Sequence, residues 1–577
     1  MKKTIILLLA IIIFSCQQEN KKVAVEQNLT LASVKKEIVK ESVIVDSAMV
    51  VSAKEEASKI GIQTLKRGGN AFDAMIATEL ALAVSFPVAG NIAGGGFMIY
   101  RTKEGEIGAL DYREKAPIHA SRNMYLDEDG DFISNKSKVG ALAVGVPGTI
   151  AGIFAVHEKL GSLPIEQIIA PVIALATNGY VLTEQQAKRI SYFKASFLKT
   201  NNSESLYTKE YKTGDTIKNI ALANTLKRIS ENGRAEFYKG ETGKAIVDFL
   251  QSKNGIISME DLNAYEAEWR RPIVFNYKDL RIISMSPPSS GGICLAQILK
   301  FIEPYPIKSY GHNNTKTIQI LTEAERRAYA DRSFYLGDPD FIDIPMDELI
   351  SDEYLKGRMD NFSFDKATSS DSLSYGIIPG YESDETTHYS IVDKFGNSIA
   401  VTTTLNGAYG SKLYSNKLGF FFNNEMDDFS AKPGEPNMYG LIGGEANAIE
   451  PQKRMLSSMT PTLVEKNGDF WMTLGTPGGS TIITSVLQTI LNVYEFDMNM
   501  QQAVDAPRFH HQWFPDIIRF EPNSFPKDSL IYLKTKGYQV IENNSIILGK
   551  VDGIRKLPNG KLEGGADHRG DDTAIGY

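Results

Sequence analysis

The chain has 577 residues, 42% hydrophobic and 10% aromatic, which is ample for a large core built as several domains or one layered unit. A formal net charge of −8 and the lack of a basic stripe argue against a nucleic-acid-binding surface. Two cysteines, Cys16 and Cys294, are too few for a disulfide framework or a thiolate metal site, and adjacent His510-His511 would face opposite ways along a strand; no metal and no cofactor are expected.

Lys2-Lys3 and the apolar run at 5–14 read as an export signal too short to span a bilayer. Its end, Ser15-Cys16, resembles a bacterial lipoprotein signal. Residues 1–15 are therefore expected to be removed, Cys16 to carry the lipid, and 16–45 to form a polar tether. That places the protein outside the cytoplasm, in the periplasm or at the cell surface, anchored to membrane; an ordinary secretory signal is the alternative.

Residues 52–65 predict a helix closed by Gly68-Gly69, and Asn70 an N-cap for a second, running to 84. The second is apolar nearly all round, so it should be buried. The glycine-rich run at 90–96 lacks the lysine and hydroxyl of a phosphate loop and reads as a tight turn into a strand at 97–100. A strand at 107–112 delivers Arg113. Residues 148–350 are largely helical in pattern, with one clear break at 287–292. Residues 365–384, rich in Ser, Asp and Gly, read as a flexible segment running into Thr386-Thr387. A hairpin follows, 388–393 with 398–404, then strands at 418–423, 462–465 and 470–474 and a helix at 480–494. Helices, then strands, then helices imply a layered α/β sandwich.

Thr386 is the candidate nucleophile. As the first residue of a new chain its α-amine, with a pKa of about 7.7–8.0, takes the proton from its own hydroxyl without a histidine. Two threonines can equally just open a strand. Arg113 offers a fork suited to a carboxylate, or a surface ion pair. Asn406, Glu425 and Asp428 make a socket for an ammonium group, or a solvated acidic loop. Ser457 and Ser458 offer hydroxyl donors, or a turn. Gly478-Gly479, between strand and helix, could hold an oxyanion, or only start the helix. His388 lies on the Thr386 face but lacks an aspartate partner, and Cys294 reads as a buried thiol without a catalytic part.

These segments together resemble the γ-glutamyltransferase family of N-terminal-nucleophile hydrolases. The marks run from Gly69-Asn70-Ala71-Phe72-Asp73-Ala74 and 90–96 through Arg113, 287–292, Asp338-Pro339-Asp340 and 386–390. They continue in 424–430, Ser457-Ser458-Met459, Pro477-Gly478-Gly479 and 508–512, covering about 46–577. The resemblance implies a four-layer αββα sandwich formed by two subunits of one precursor, a large one (46–385) and a small catalytic one (386–577). It implies cleavage after Glu385 by Thr386, a γ-glutamyl-Thr386 ester from glutathione and related donors, and transfer to water or to amino-acid and dipeptide acceptors. It also implies roles: Thr404 positions the Thr386 hydroxyl; Arg113, Ser457 and Ser458 hold the α-carboxylate; Asn406, Glu425 and Asp428 hold the α-amine; Gly478 and Gly479 stabilise the oxyanion. Some relatives carry glutamine where this chain has Glu425. Residues 433–444 resemble a lid, with Tyr439 closing over the substrate. The competing readings are a cephalosporin or glutaryl acylase, a poly-γ-glutamate amidase, and a non-catalytic binding lipoprotein.

Overall fold

The computed structural model describes residues 41–373, 387–542 and 547–577. The signal, most of the tether, the Ser/Asp/Gly-rich run from 374 onward, Cys16, Glu385 and Thr386 lie outside the described residues.

Two seven-stranded sheets form the centre. The elements that matter below are β1 (Val43–Val45), β2 (Met49–Ser52), α1 (Glu55–Lys66), α2 (Ala71–Ser85), β3 (Gly95–Arg101), β4 (Ile107–Asp111), β5 (Glu268–Arg270), β6 (Ile273–Tyr277) and β7 (Leu280–Ser284). After them come α3 (Gly291–Ile302), α4 (Thr315–Tyr335), β8 (Thr387–Val392), β9 (Ser398–Thr404), β10 (Thr462–Lys466), β11 (Asp469–Gly475) and α5 (Thr481–Tyr494), then β12 (Asp552–Lys556), β13 (Leu562–Ala566) and β14 (Thr573–Gly576). One sheet runs β14-β2-β8-β9-β3-β4-β5 and the other β1-β13-β12-β11-β10-β7-β6.

Period-two alternation explains how the layers stack. On β8, Tyr389 and Ile391 enter the core shared with α1 and α2. On β2 and β3, Val50 and Met98 face that core, while Met49, Val51, Phe97 and Ile99 face the second sheet. There they meet Ile283, Leu463 and Ile554. The far side of the second sheet packs Ile282, Val464 and Leu474 against α3, α4 and α5. Three apolar cores thus separate four layers, helix, sheet, sheet and helix, and each fully buried Leu, Ile or Val stabilises this arrangement by about 1.5–3 kcal/mol. The chain is an αββα sandwich.

Local signals set several of these elements. Asn70 Oδ1 accepts from the N–H groups of Phe72 (2.9 Å) and Asp73 (3.0 Å), and Asp73 returns a bond to the Asn70 N–H. This reciprocal cap, worth about 1 kcal/mol, starts α2 where the sequence predicts. The hairpin β8–β9 pairs Thr387 with Thr403 and Val392 with Ser398. Three expectations need adjustment. The tether does not reach residue 45, because Val43–Val45 pairs with Leu562–Gly564 at the sheet edge. The segment 148–350 is largely helical as its pattern predicts, but β5, β6 and β7 also interrupt it; their apolar residues read as helix until the facing sheet supplies partners. The strand expected at 418–423 shrinks to Phe420–Phe421.

Candidate active site

The ends of the strands deliver the site. Arg113 lies two residues beyond β4, Thr404 is the last residue of β9, Ser457 and Ser458 precede β10, and Gly479 stands between β11 and α5. With Asn406, Asp428, Tyr439 and Arg332 they line one small cavity. Thr386 is the residue covalently before Thr387, at the start of the strand paired with β9.

Asn406 has φ = 69°, a left-handed conformation that asparagine tolerates. Its N–H donates to Thr404 Oγ1 (2.7 Å) and its Nδ2 to the Asn424 carbonyl (3.0 Å). Its Oδ1 is buried and has no hydrogen-bond partner among the described residues. A buried acceptor left open at a cavity costs free energy unless a donor arrives.

The acidic side is built around Arg113, which is 1% exposed. Its Nη1 lies 2.6 Å from Glu425 Oε2 without aligned hydrogen-bond geometry, its Nη2 donates to Asp428 Oδ2, and Glu114 Oε2 is 3.7 Å away. Burial works to lower the Arg113 pKa, but Glu425 and Asp428 hold it above its ordinary value. Burial pushes Glu425 up to about 8 and Asp428 up to about 6, in each case against the pull of Arg113. Burial, then Glu425, raises Glu114 well above the carboxylate range. Three buried carboxylates thus crowd one guanidinium. Glu425 is fully buried behind Arg113 and is not among the residues lining the cavity.

Ser457 and Ser458 bring hydroxyls to the same cavity. The Ser457 N–H donates to the Pro288 carbonyl (2.8 Å), and the Ser290 N–H and Oγ both donate to the Ser457 carbonyl (2.8 and 2.7 Å). The 287–292 break is therefore the buttress of this serine pair. Behind it stands Arg332, from α4, whose Nε donates to Ser290 Oγ (2.9 Å) and whose Nη2 donates to Ser458 Oγ (3.1 Å). Burial lowers its pKa.

Gly478 and Gly479 have φ of 139° and 53°. A Cβ on Gly479 would come within 2.4 Å of the Tyr439 ring, so glycine is needed for that close approach. Gly478 does not itself line the cavity; its carbonyl accepts from Thr481 Oγ1 at 2.8 Å. Tyr439, 4% exposed, donates its hydroxyl to the Asn406 carbonyl at 2.7 Å and covers the cavity from the 433–444 segment.

His388 has both ring nitrogens engaged, Nδ1 with Thr402 Oγ1 (2.9 Å) and Nε2 with Ser390 Oγ (3.0 Å). Burial lowers it to about 3, so it is neutral. Cys294 is buried in α3, and burial pushes its thiol up to about 12. The cluster Asp505, Asp567 and His568 has metal-like spacing, but Asp567 is committed to Arg508 (2.7 Å) and Arg569 (3.0 Å).

Two residues of this site escape sequence reasoning, Arg332 and Glu114. In 322–335 charged side chains recur on every side of the helix, which a surface helix with one solvated face does not require; that distribution is the missed signal. The structure buries Glu323, Glu325, Arg326, Arg327, Asp331 and Arg332 alike. Glu114 follows Arg113 directly and looks like a strand-end charge in any linear reading.

Residues 57–577 match the family described as gamma-glutamyltranspeptidase. A protein of Escherichia coli (strain K12) named glutathione hydrolase proenzyme is 45% identical over 534 residues, covering 92% of each chain. The crystal structure of Helicobacter pylori gamma-glutamyltranspeptidase is 41% identical with a TM-score of 0.55, covering 59% of this chain and 97% of its own. A cephalosporin acylase from Bacillus halodurans superposes with a TM-score of 0.82 over 95% of this chain and 99% of its own, at 24% identity, a likeness of fold alone. The chain belongs to the gamma-glutamyltranspeptidase family.

Proposed function

We propose that this protein is a self-processing γ-glutamyl hydrolase and transferase acting on glutathione and related γ-glutamyl amides. The observation that carries the reading is one cavity lined by both open acceptors and cationic donors. Asn406 Oδ1, which has no donor among the described residues, and Asp428 line it together with Ser457, Ser458, Arg113 and Arg332. Such a cavity matches the zwitterionic head of a γ-glutamyl group, with its α-ammonium at one end and α-carboxylate at the other.

In the proposed sequence, Thr386 Oγ attacks the carbonyl carbon of Glu385. The peptide C–N bond breaks, an ester forms, and water opens it to leave the Glu385 carboxylate and a free Thr386 amine. The large subunit is then 46–385 and the small subunit 386–577. With substrate bound, the Thr386 amine takes the Oγ proton as Oγ attacks the γ-carbonyl, and Thr404 positions that hydroxyl. Gly478 and Gly479 N–H groups hold the oxyanion, a contribution of about 10²–10³ in rate per donor. The proton passes to the leaving amine, and the γ-glutamyl ester is released to water or to an amino-acid or dipeptide acceptor. Arg113, Ser457 and Ser458 hold the α-carboxylate, Asn406, Glu425 and Asp428 the α-amine, and Tyr439 limits water entry. The export signal and a lipid on Cys16 place the enzyme outside the cytoplasm on a membrane.

N-terminal sequencing and intact mass of the wild type beside Thr386→Ala test this. The wild type should give a second chain starting at Thr386, the variant a single chain, and only the cleaved sample should hydrolyse glutathione. A folded wild type that stays whole sinks the mechanism. The acylase reading predicts equal or better turnover of glutaryl donors, which lack the α-amine; Asn406 and Asp428 weigh against it.

A further inference from the structure

We propose that Gln512 is a positioning residue that latches the Tyr439 cover onto the turn carrying Gly479. The kinetic part of the proposal rests on the γ-glutamyl reading above; the latch does not. Residues 508–512 are among the marks in the sequence, yet the substrate chemistry uses none of them. Gln512 is 4% exposed, two residues past the short strand Phe509–His510, and both ends of its amide are engaged. Its Oε1 accepts from Ser480 Oγ (2.7 Å) and lies 2.9 Å from His510 Nε2. Its Nε2 donates to the carbonyls of Gly440 (3.1 Å) and Tyr439 (3.4 Å).

The orientation of this amide follows from its partners. The two carbonyls can only accept, so the nitrogen must face them and the oxygen must face His510. His510 Nε2 therefore carries a hydrogen and donates it, while Nδ1 meets Thr484 Oγ1 of α5 at 2.9 Å. A flipped amide would set an oxygen against two carbonyl oxygens, so His510 and Thr484 fix the direction of the latch. Through its oxygen Gln512 grips Ser480, which directly follows Gly479 and whose carbonyl accepts from the Tyr329 hydroxyl of α4. Through its nitrogen it grips the backbone of Tyr439, whose ring lies within 2.4 Å of where a Gly479 Cβ would stand and whose hydroxyl reaches the Asn406 carbonyl. Tyr439 is thus held at backbone and hydroxyl alike. The cover is also tied by Ser333 Oγ to the Ile442 carbonyl (2.8 Å) and by the Met438 N–H to Asp427 Oδ2 (2.9 Å), so losing Gln512 loosens 433–444 locally without unfolding the chain.

The test is hydrogen–deuterium exchange beside γ-glutamyl-p-nitroanilide kinetics on the wild type, Gln512→Met and Gln512→Asn. The first removes both donors at similar length; the second keeps an amide one methylene short of the cover. Each should speed exchange in 433–444 by about tenfold or more and leave α2 unchanged, and should raise KM about tenfold with kcat kept within about threefold. Unchanged exchange in 433–444, an equal rise in α2, or an unchanged KM overturns the proposal. If neither variant self-cleaves, exchange is read on the uncleaved chains against Thr386→Ala by the same criteria, and loss of folding in both also overturns it. A wild type that cleaves no γ-glutamyl donor, with exchange altered as expected, refutes the γ-glutamyl reading and leaves the latch.

Discussion

The two buried guanidiniums at the cavity, Arg113 and Arg332, meet different electrostatic surroundings. Around Arg113 there is too much negative charge: Glu114, Glu425 and Asp428 are buried with one cation, and burial raises all three toward protonation. Among the described residues Arg332 hydrogen-bonds only to hydroxyls, and Asp428 answers it at longer range. Carboxylates and guanidiniums buried around one small cavity each cost free energy unless a partner neutralises them. Arginine type therefore says little about role; what each guanidinium already touches decides what it can still hold.

Three experiments sharpen or break this comparison. The largest effect is expected from Arg113→Ala, which strips the ion-pair partner from three buried carboxylates and should cost about 3–5 kcal/mol of stability in denaturant unfolding. Arg332→Gln leaves hydroxyls and the longer-range Asp428 behind and should cost clearly less; equal losses would erase the distinction between the two guanidiniums.

Glu425→Gln comes next, through pH. Glu425 and Asp428 are raised to about 8 and about 6, above their unfolded values near 4. The folded state thus binds these protons more tightly than the unfolded one. Their contribution is full below about pH 4 and is lost as pH rises through about 8. Thermal midpoints of the wild type should fall across that window, and Glu425→Gln should flatten the fall. Parallel curves for the two proteins would show that the acidic end is not where the protons sit.

The smallest effect belongs to Tyr439→Phe. It removes a single neutral hydrogen bond to the Asn406 carbonyl, worth about 1 kcal/mol, so KM for the γ-glutamyl donor should rise about fivefold with self-cleavage intact. A change in cleavage rather than KM would place Tyr439 in maturation instead of substrate cover.

Much of this was legible from residues alone wherever the signal is local. The Asn70 cap is an i to i+3 pattern, β9 is an alternating run bounded by a turn, and Gly479 sits at a strand-to-helix junction whose close approach excludes a Cβ. Where the signal depends on neighbours distant in sequence, reading failed. β5 to β7 looked helical because apolar spacing over a few residues does not distinguish the two states, and their sheet partners lie far along the chain. β12 to β14 went unread at the C-terminal end. The linear motif sets Glu425 beside Asp428, but only the folded chain shows Glu425 fully buried against Arg113.

The sequence by itself determined the layered α/β class, the family, the choice of threonine as candidate nucleophile and the residue types around the substrate, because these rest on local periodicity and ordered motifs. Only the tertiary structure decided which charges neutralise each other. Coulombic and desolvation effects depend on distance and burial, and neither is written in the order of residues: Arg113 and Asp428 are 315 positions apart yet bonded, and Arg332 meets Ser458 across 126.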